Sequence, residues 1–148
     1  MNLRDLLRPE LIATDVVASD WESAIRATGK LLVNDGAVEP RFVDAMIRVA
    51  KEFGPYIVVA PGIALPHARP DDGVIHASIA VSQLKDTVTF GNVQNDPVFL
   101  VIALAAIDNK QHIEALAELA SVLGNADNIE RLKQCKTADD MLKVLYAE

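Results

Sequence analysis

A loop near the middle of the chain carries an imidazole and a guanidinium two residues apart. The segment 61–70 has the sequence PGIALPHARP, in which His67 follows a proline and Arg69 follows after one alanine. A neutral imidazole is nucleophilic without first losing a proton, and its attack on phosphorus gives a reactive phosphoramidate. A guanidinium supplies a permanent, forked positive charge for the phosphoryl oxygens. The pair therefore favours the handling of a phosphoryl group.

A second histidine, His112, lies in the first turn of a predicted helix over 110–123, which Asp108 or Asn109 can cap. Free N–H groups and the helix dipole favour an anion at that place and disfavour a charged imidazole. A neutral His112 can then donate a hydrogen bond to a phosphoryl group on His67. The residues alone leave the alternative open that His67 is a hydrogen-bonded loop histidine and His112 an exposed residue at a helix start.

The elements that must position these groups alternate between strands and helices. Apolar runs predict strands at 56–60, 77–82 and 98–106, with a short edge strand at 85–90. Apolar residues at helical spacing predict helices near 21–35, 40–54, 110–123, 128–134 and beyond 137. This order predicts an α/β fold, with a single mixed, largely buried β-sheet of about five strands flanked by helices on both faces. If the two central strands are adjacent, His67 and His112 lie side by side at their ends.

Two helices have features that predict their start or their buried face. Ser19 and Glu22 have the spacing of a capping box, which places the N-cap of the first long helix at Ser19. In the 110–123 helix, the predicted buried stripe consists of Ile113, Leu116, Ala117, Ala120 and Leu123.

Composition restricts the class of protein. A chain of 148 residues with 51% hydrophobic and 24% charged residues fits one soluble globular domain over 1–148. The net charge of −7 disfavours nucleic acid and anionic membranes as partners. The N-terminus lacks a secretory pattern, and the longest apolar run, 98–107, falls short of the roughly 20 residues of a membrane span. We therefore expect a cytoplasmic protein.

Other kinds of site have little support in the sequence. The chain has no phosphate-binding loop of the ATPase type, and the three histidines His67, His76 and His112 do not have the spacing of a known metal motif. We expect no metal and no organic cofactor, although a metal-dependent hydrolase using these histidines stays an alternative. Cys135 is interpreted as a structural cysteine, and Asp71 and Asp72 as turn residues.

Three segments of the chain together resemble a known family. The segment 62–67 (GIALPH) is followed by the apolar strand 95–106 and then by 111–120 (QHIEALAELA). These segments resemble the enzyme IIA domains of the mannitol–fructose class in the bacterial phosphoenolpyruvate-dependent sugar phosphotransferase system (PTS). The longer segment 54–70 is similar to the ascorbate-type branch of that class.

The resemblance implies a function for each matching residue. His67 matches the histidine that accepts phosphate from the phosphocarrier protein HPr and passes it to a cysteine of enzyme IIB (EIIB). His112 matches the second histidine, which hydrogen-bonds the phosphoryl group without carrying it. Arg69 fits the ascorbate-type pattern, and we hypothesise an electrostatic role for it. Arg48 is the nearest arginine before the motif, but its spacing is longer than in the mannitol–fructose members, so that role is not carried over to it.

The leading interpretation is a cytoplasmic phosphoryl relay (EIIA) that feeds an L-ascorbate transporter and is linked functionally to its membrane permease, EIIC. No metal or organic cofactor is implied. The alternative is a regulatory module of the same fold, which signals its phosphorylation state instead of feeding transport.

Overall fold

The sheet is organised around β5, Val98–Ala105, the apolar run that the sequence predicts as a central strand. All eight of its residues are buried, because elements cover the strand on both faces. β4, Ser78–Val88, pairs antiparallel with one edge of β5, and β3, Ile63–Ala64, pairs parallel with the other. β1, Ile12–Val16, lies outside β4, and β2, Val58–Ala60, lies outside β3. The computed structural model describes residues 3–146, and its five-stranded mixed sheet confirms the predicted α/β fold.

Helices flank this sheet in two groups. One group is α2 with α3, and the other is α1 with α4, α5 and α6. Their bounds are α1 Leu3–Leu6, α2 Trp21–Asn34, α3 Arg41–Phe53, α4 Asn109–Leu123, α5 Ala126–Gln134 and α6 Ala138–Leu145. Among the helices within residues 3–146, none combines the length and the apolar character that crossing a bilayer requires.

The strand predicted at 56–60 is shorter and more peripheral than expected. Residues Gly54–Ile57 form a 3₁₀ turn, and β2 itself is an edge strand with half-exposed Val59. The strand predicted separately at 85–90 is instead the second half of β4, which continues to Val88 beside β5. β1 was not predicted, because its five residues give a weak alternating pattern.

The start of α2 corrects the predicted cap. Asp20, not Ser19, is the N-cap, and its Oδ1 accepts a hydrogen bond from the backbone N–H of Ser23 at 2.8 Å. A carboxylate is the stronger acceptor and also carries the charge that a helix N-terminus favours. Glu22 does not close a capping box, since its carboxylate lies near Arg26 and Lys51.

A tight turn aligns the histidine loop with β5. Pro61 and Gly62 occupy the turn between β2 and β3, and Gly62 has φ +77°, as the third position of a type II turn requires. Gly62 O then accepts hydrogen bonds from the backbone N–H groups of Phe99 and Leu100. The parallel register that follows pairs Ile63 with Leu100 and, four residues on, His67 with Leu104.

We predict that Gly62→Ala destabilises the fold strongly. An added Cβ would lie 2.6 Å from Cδ1 of Phe99 while the residue kept a left-handed φ, so steric overlap and backbone strain act together. The expected loss is about 3 kcal/mol of unfolding free energy, or about 9 °C in Tm. Gly36→Ala is the matched control, because Gly36 has φ +78° but nothing within 4 Å of its added Cβ. Equal losses for the two variants in thermal unfolding would contradict this account.

Candidate functional site

A cleft of about 610 Å³ lies where the His67 loop, α3 and the start of α4 meet. The structure brings the two candidate histidines together across this cleft. The ring centroids of His67 and His112 are 5.3 Å apart, and the ring planes are inclined at 55°. This proximity follows from the parallel pairing of β3 with β5. The segment after β3 carries His67, and α4, which carries His112, begins four residues after the end of β5.

The backbone of its own loop orients the His67 ring. Nδ1 of His67 lies 2.9 Å from the carbonyl oxygen of Leu65. A carbonyl oxygen can only accept, so Nδ1 carries the proton and Nε2 keeps its lone pair. The ring is half-buried, and the carbonyl of Pro66 is held by the backbone N–H of Leu104 at 3.1 Å. The imidazole is therefore fixed in one tautomer, with its other nitrogen available as a nucleophile.

His112 lies in the first turn of α4, as predicted. Asp108 caps the helix by accepting a hydrogen bond from Gln111 N at 2.8 Å, and the backbone N–H of His112 donates to the carbonyl of Asp108. Burial lowers the pKa of His112 below its ordinary 6.5, and the electrostatic interaction with the neighbouring His67 ring lowers it further. A lowered pKa keeps His112 neutral at neutral pH, so one of its nitrogens donates and the other accepts.

We predict that His112 titrates below pH 6.5, the ordinary value, in an NMR pH titration of the imidazole carbon-bound protons. In the His67→Ala variant its pKa is expected to rise but to stay below 6.5, because burial is the larger cause. Below pH 6.5 the unfolded chain binds a proton at His112 more readily than the folded protein does. The contribution of His112 therefore lowers the unfolding free energy as the pH falls through 6.5. A midpoint at or above 6.5 in the native protein would contradict the assignment.

Two arginines lie in the same cleft, Arg69, for which the sequence suggested an electrostatic role, and Arg48, to which no role was assigned. Arg69 lines the cleft two residues from His67, as the sequence suggests. Arg48 also lines it, from α3, and its Nη2 lies 3.3 Å from Oδ1 of Asp72. The sequence analysis named Arg48 as the nearest arginine but gave it no role, because its spacing to His67 is longer than in the mannitol–fructose members. The signal that could have found it is its place near the end of α3, which leads directly into the strands that carry the loop.

Asp72 is more than a turn residue. Its Oδ2 accepts from the backbone N–H of Arg69 at 3.0 Å, while its Oδ1 faces Arg48. Nearby, Nη1 of Arg41 donates to the carbonyl of Asp71 at 3.0 Å. α3 thus holds the short 3₁₀ turn Pro70–Asp72 at two points, which fixes the segment immediately after the histidine loop.

The third histidine lies apart from this cleft. Nε2 of His76 lies 3.7 Å from Oδ2 of Asp35, at the end of α2, and His76 does not line the cleft. The three-histidine metal site is therefore not formed, and residues 3–146 contain no group of three or more His, Cys, Asp or Glu side chains placed to hold a metal. Cys135 is also remote; its thiol lies 3.2 Å from the carbonyl of Arg131, and burial raises its pKa.

The side chain of Ile113 corrects the predicted stripe of α4. It is 64% exposed, and Ala117 and Ala120 are exposed too, while Ala115, Leu119, Val122 and Leu123 form the buried face. The buried face is rotated about the helix axis relative to the predicted one, and Ile113 therefore lies on the surface next to His112.

Comparisons with known proteins agree on one family. Residues 5–148 match the family described as "Phosphoenolpyruvate-dependent sugar phosphotransferase system, EIIA 2". The "Ascorbate-specific PTS system EIIA component" of Escherichia coli (strain K12) is 35% identical over 147 residues, which cover 98% of this chain and 96% of the relative.

Two solved structures are similar over nearly the whole chain. The mannitol-specific cryptic phosphotransferase enzyme IIA CmtB from Escherichia coli superimposes with a TM-score of 0.88 at 28% identity, covering 100% of both chains. The complex of enzyme IIA of the mannitol system with phosphorylated enzyme IIB, also from Escherichia coli, gives 0.85 at 32% identity, covering 97% of this chain and 100% of the other. This chain therefore belongs to the EIIA 2 family of the phosphoenolpyruvate-dependent sugar phosphotransferase system.

Proposed function

We propose that the chain, acting as one domain over 1–148, is a phosphoryl relay in which His67 is phosphorylated by phospho-HPr and then phosphorylates a cysteine of EIIB. The observation that carries the proposal is the His67 ring itself. Its Nδ1 donates a hydrogen bond to the Leu65 carbonyl, which leaves Nε2 free to react. The ring lines a cleft that is also lined by His112, Arg48 and Arg69.

The first step forms a bond between phosphorus and Nε2 of His67. The lone pair of Nε2 attacks the phosphorus of the donor phosphohistidine, whose own phosphorus–nitrogen bond breaks as its imidazole leaves. The proton stays on Nδ1 of His67 and is donated to the Leu65 carbonyl throughout, so the phosphorylated ring needs no new hydrogen bond. In the second step a cysteine thiolate of EIIB attacks the same phosphorus, the bond to Nε2 breaks, and His67 returns to its starting form.

The charge on the phosphoryl oxygens is stabilised from both sides of the cleft. Arg48 and Arg69 supply positive charge, and neutral His112 donates a hydrogen bond from the first turn of α4. A neutral donor suits a relay, because a fixed third cation would hold the phosphoryl group too tightly for onward transfer. The chemistry needs positioning and electrostatics rather than a cofactor.

Exposed apolar side chains surround this cleft and fit a transient docking face. Phe53 lines the cleft and is 58% exposed, while Ile107 and Ile113 are 51% and 64% exposed beside Asp108 and His112. Glu52 and Asp71 add negative charge at the rim, which favours partners with a basic docking surface. HPr and EIIB then use the same face in turn, so both complexes are expected to be small and short-lived.

The proposed transported substrate is L-ascorbate. The relatives support this assignment, since those at 35% identity are ascorbate-specific PTS system EIIA components by name. A relay of this kind works in the cytoplasm and serves a membrane permease, EIIC, through EIIB. The relay never contacts the sugar, so the substrate is tested by growth on L-ascorbate after deletion of the gene and by complementation.

The function is tested by reconstitution. Incubation with phosphoenolpyruvate, enzyme I and HPr is expected to add one acid-labile phosphate, which EIIB of an ascorbate system then removes. Normal labelling without transfer to EIIB would instead support the regulatory module. No labelling at all would overturn both functions.

We predict that Asp72→Asn slows phosphorylation by about fivefold, ~1 kcal/mol. The amide cannot hold the Arg48 guanidinium with a charge–charge contact, and its contact with the Arg69 N–H weakens. Stability changes little, because Arg48 is largely exposed. Asp71→Asn is the matched control: it removes the same charge from the same cleft, but Asp71 holds Arg41 through its backbone carbonyl. The rate of phosphorylation by HPr is the readout, and equal effects of the two variants would exclude a specific role for Asp72.

A further inference from the structure

A second cleft, of about 1000 Å³, lies at the opposite end of the sheet from His67. We call it the distal cleft; it is formed by the end of β4, the start of β5, part of β1 and the end of α5. Phe99 lines it, whereas Leu104 lies beside His67, so the two clefts are separated by five residues of β5, about 17 Å. The distal cleft is therefore separate from the proposed phosphoryl-transfer site.

Three lysines surround the distal cleft in a chain of net charge −7. Lys85 and Lys136 form no ion pair with any other residue between 3 and 146. Lys133 lies over the Phe99 ring, 5.5 Å from its centroid, and 3.9 Å from the Glu130 carboxylate. Two carboxylates, Asp15 and Asp96, line the same cleft, so the three lysines leave it with a net positive charge in an acidic protein, which favours binding of an anion.

The walls of the distal cleft are held in place by hydrogen bonds. Nε2 of Gln83 donates to the carbonyls of Leu132 and Cys135 at 3.1 and 2.7 Å, which fixes the end of α5 against β4. The carboxylate of Asp96 accepts from the backbone N–H groups of Phe90 and Gly91 at 2.9 and 2.8 Å. Among residues 3–146 Asp96 forms no ion pair with a lysine of the cleft, so Lys85 and Lys136 stay available for a ligand.

Asp15 is the conformational outlier of the distal cleft. It has φ +58° within β1, at the point where the pairing with β4 shifts register between Ala13 and Val16. A non-glycine residue with positive φ is uncommon, and bulges and such outliers concentrate at functional sites. The bulge places a carboxylate, with the hydroxyl groups of Thr14 and Thr87, on the same cleft as the lysines. A carboxylate and cations that line one cleft suit a ligand that brings both an anion and hydroxyl donors.

We propose that the distal cleft binds a small hydroxylated organic anion, such as a sugar phosphate or a sugar acid. The anionic group lies among Lys85, Lys133 and Lys136, and the hydroxyl groups donate to Asp15. The proposal does not depend on His67, and it would stand if the proposed function failed.

The experiment is an NMR titration of the isotope-labelled full chain at constant ionic strength with four probes. Glucose 6-phosphate and gluconate carry both an anion and hydroxyl groups, glucose lacks the anion, and inorganic phosphate lacks the hydroxyl-bearing carbon skeleton. Glucose 6-phosphate or gluconate is expected to cause saturable shifts at Asp15, Gln83 and Lys85, with a Kd on the order of 1 mM. Glucose and inorganic phosphate are expected to bind about tenfold more weakly, and His67 is expected to stay unshifted.

A pair of double variants tests whether the lysines are responsible. Lys85→Gln with Lys136→Gln is expected to weaken binding at least about tenfold. Lys30→Gln with Lys110→Gln removes the same charge elsewhere and is expected to leave binding unchanged. All four side chains belong to exposed residues, so both proteins should keep a native spectrum. The proposal is overturned by the absence of saturable shifts, by equal losses in the two double variants, by shifts confined to the His67 cleft, or by inorganic phosphate binding as tightly as glucose 6-phosphate.

Discussion

His67→Ala is expected to incorporate no phosphate from phospho-HPr, a loss of at least roughly 10⁴-fold as for other catalytic nucleophiles. Alanine removes the imidazole whose orientation is fixed by the hydrogen bond from Nδ1 to the Leu65 carbonyl, and with it the Nε2 lone pair that attacks phosphorus. Because the His67 ring is only half-buried and lines a cleft, its removal creates little buried cavity. The variant should therefore have nearly the same unfolding free energy as the native protein. Incorporation is measured by phosphate labelling and intact mass.

The matched control for this prediction is His76→Ala. His76 lies outside the cleft, beside Asp35, and its removal is expected to leave the stoichiometry and the rate of labelling unchanged. If His67→Ala were labelled like the native protein, or if His76→Ala lost labelling, the phosphoryl group would belong on another residue and the relay mechanism given above would be wrong.

His112→Ala is expected to slow phosphorylation of His67 by about 10²-fold, ~2.7 kcal/mol, which is the usual effect of removing one positioned donor to a developing anion. The loss should appear in the rate of transfer and not in the final stoichiometry, because His112 donates to the phosphoryl group without carrying it. Stopped-time labelling by HPr, followed by chase onto EIIB, measures both transfers separately.

Conservative replacement distinguishes hydrogen bonding from packing at this position. In His112→Gln the side-chain amide can still donate, so about a tenth of the native rate is expected to return. In contrast, an alanine variant with unchanged rates in both transfers would remove His112 from the mechanism. A variant that accepts phosphate normally but loses only stability would show that the ring is structural.

The central part of the fold could be predicted from the sequence because it depends on strong local patterns. The continuous apolar run at 98–106 indicates a strand buried on both faces, and β5 has that place. The Pro61–Gly62 pair requires a tight turn, which sets the register that carries His67 to the level of Leu104. The sequence placed the two histidines side by side only if the strands at 56–60 and 98–106 were adjacent. In the structure β3, which was not predicted, lies between β2 and β5 and brings His67 beside His112 instead.

Other features depend on contacts between distant segments, which a local pattern does not encode. Arg48 reaches the cleft because α3 packs beside the 3₁₀ turn that carries Asp72, and neither segment alone indicates this pairing. Ile113 was predicted to be buried because hydrophobic spacing does not distinguish a buried face from an exposed apolar one. Of the lysines of the distal cleft, Lys85 lies in β4, Lys133 in α5 and Lys136 just after α5, so their proximity follows only from the packing of α5 and its end against β4.

The most direct test of the account is the position of the phosphoryl group in the phosphorylated protein. Long-range proton–nitrogen correlation spectra of the histidine rings are expected to show phosphorus bonded to Nε2 of His67, with Nδ1 still protonated and held by the Leu65 carbonyl. Phosphorus on Nδ1 of His67, on His112, or on any other residue would contradict it.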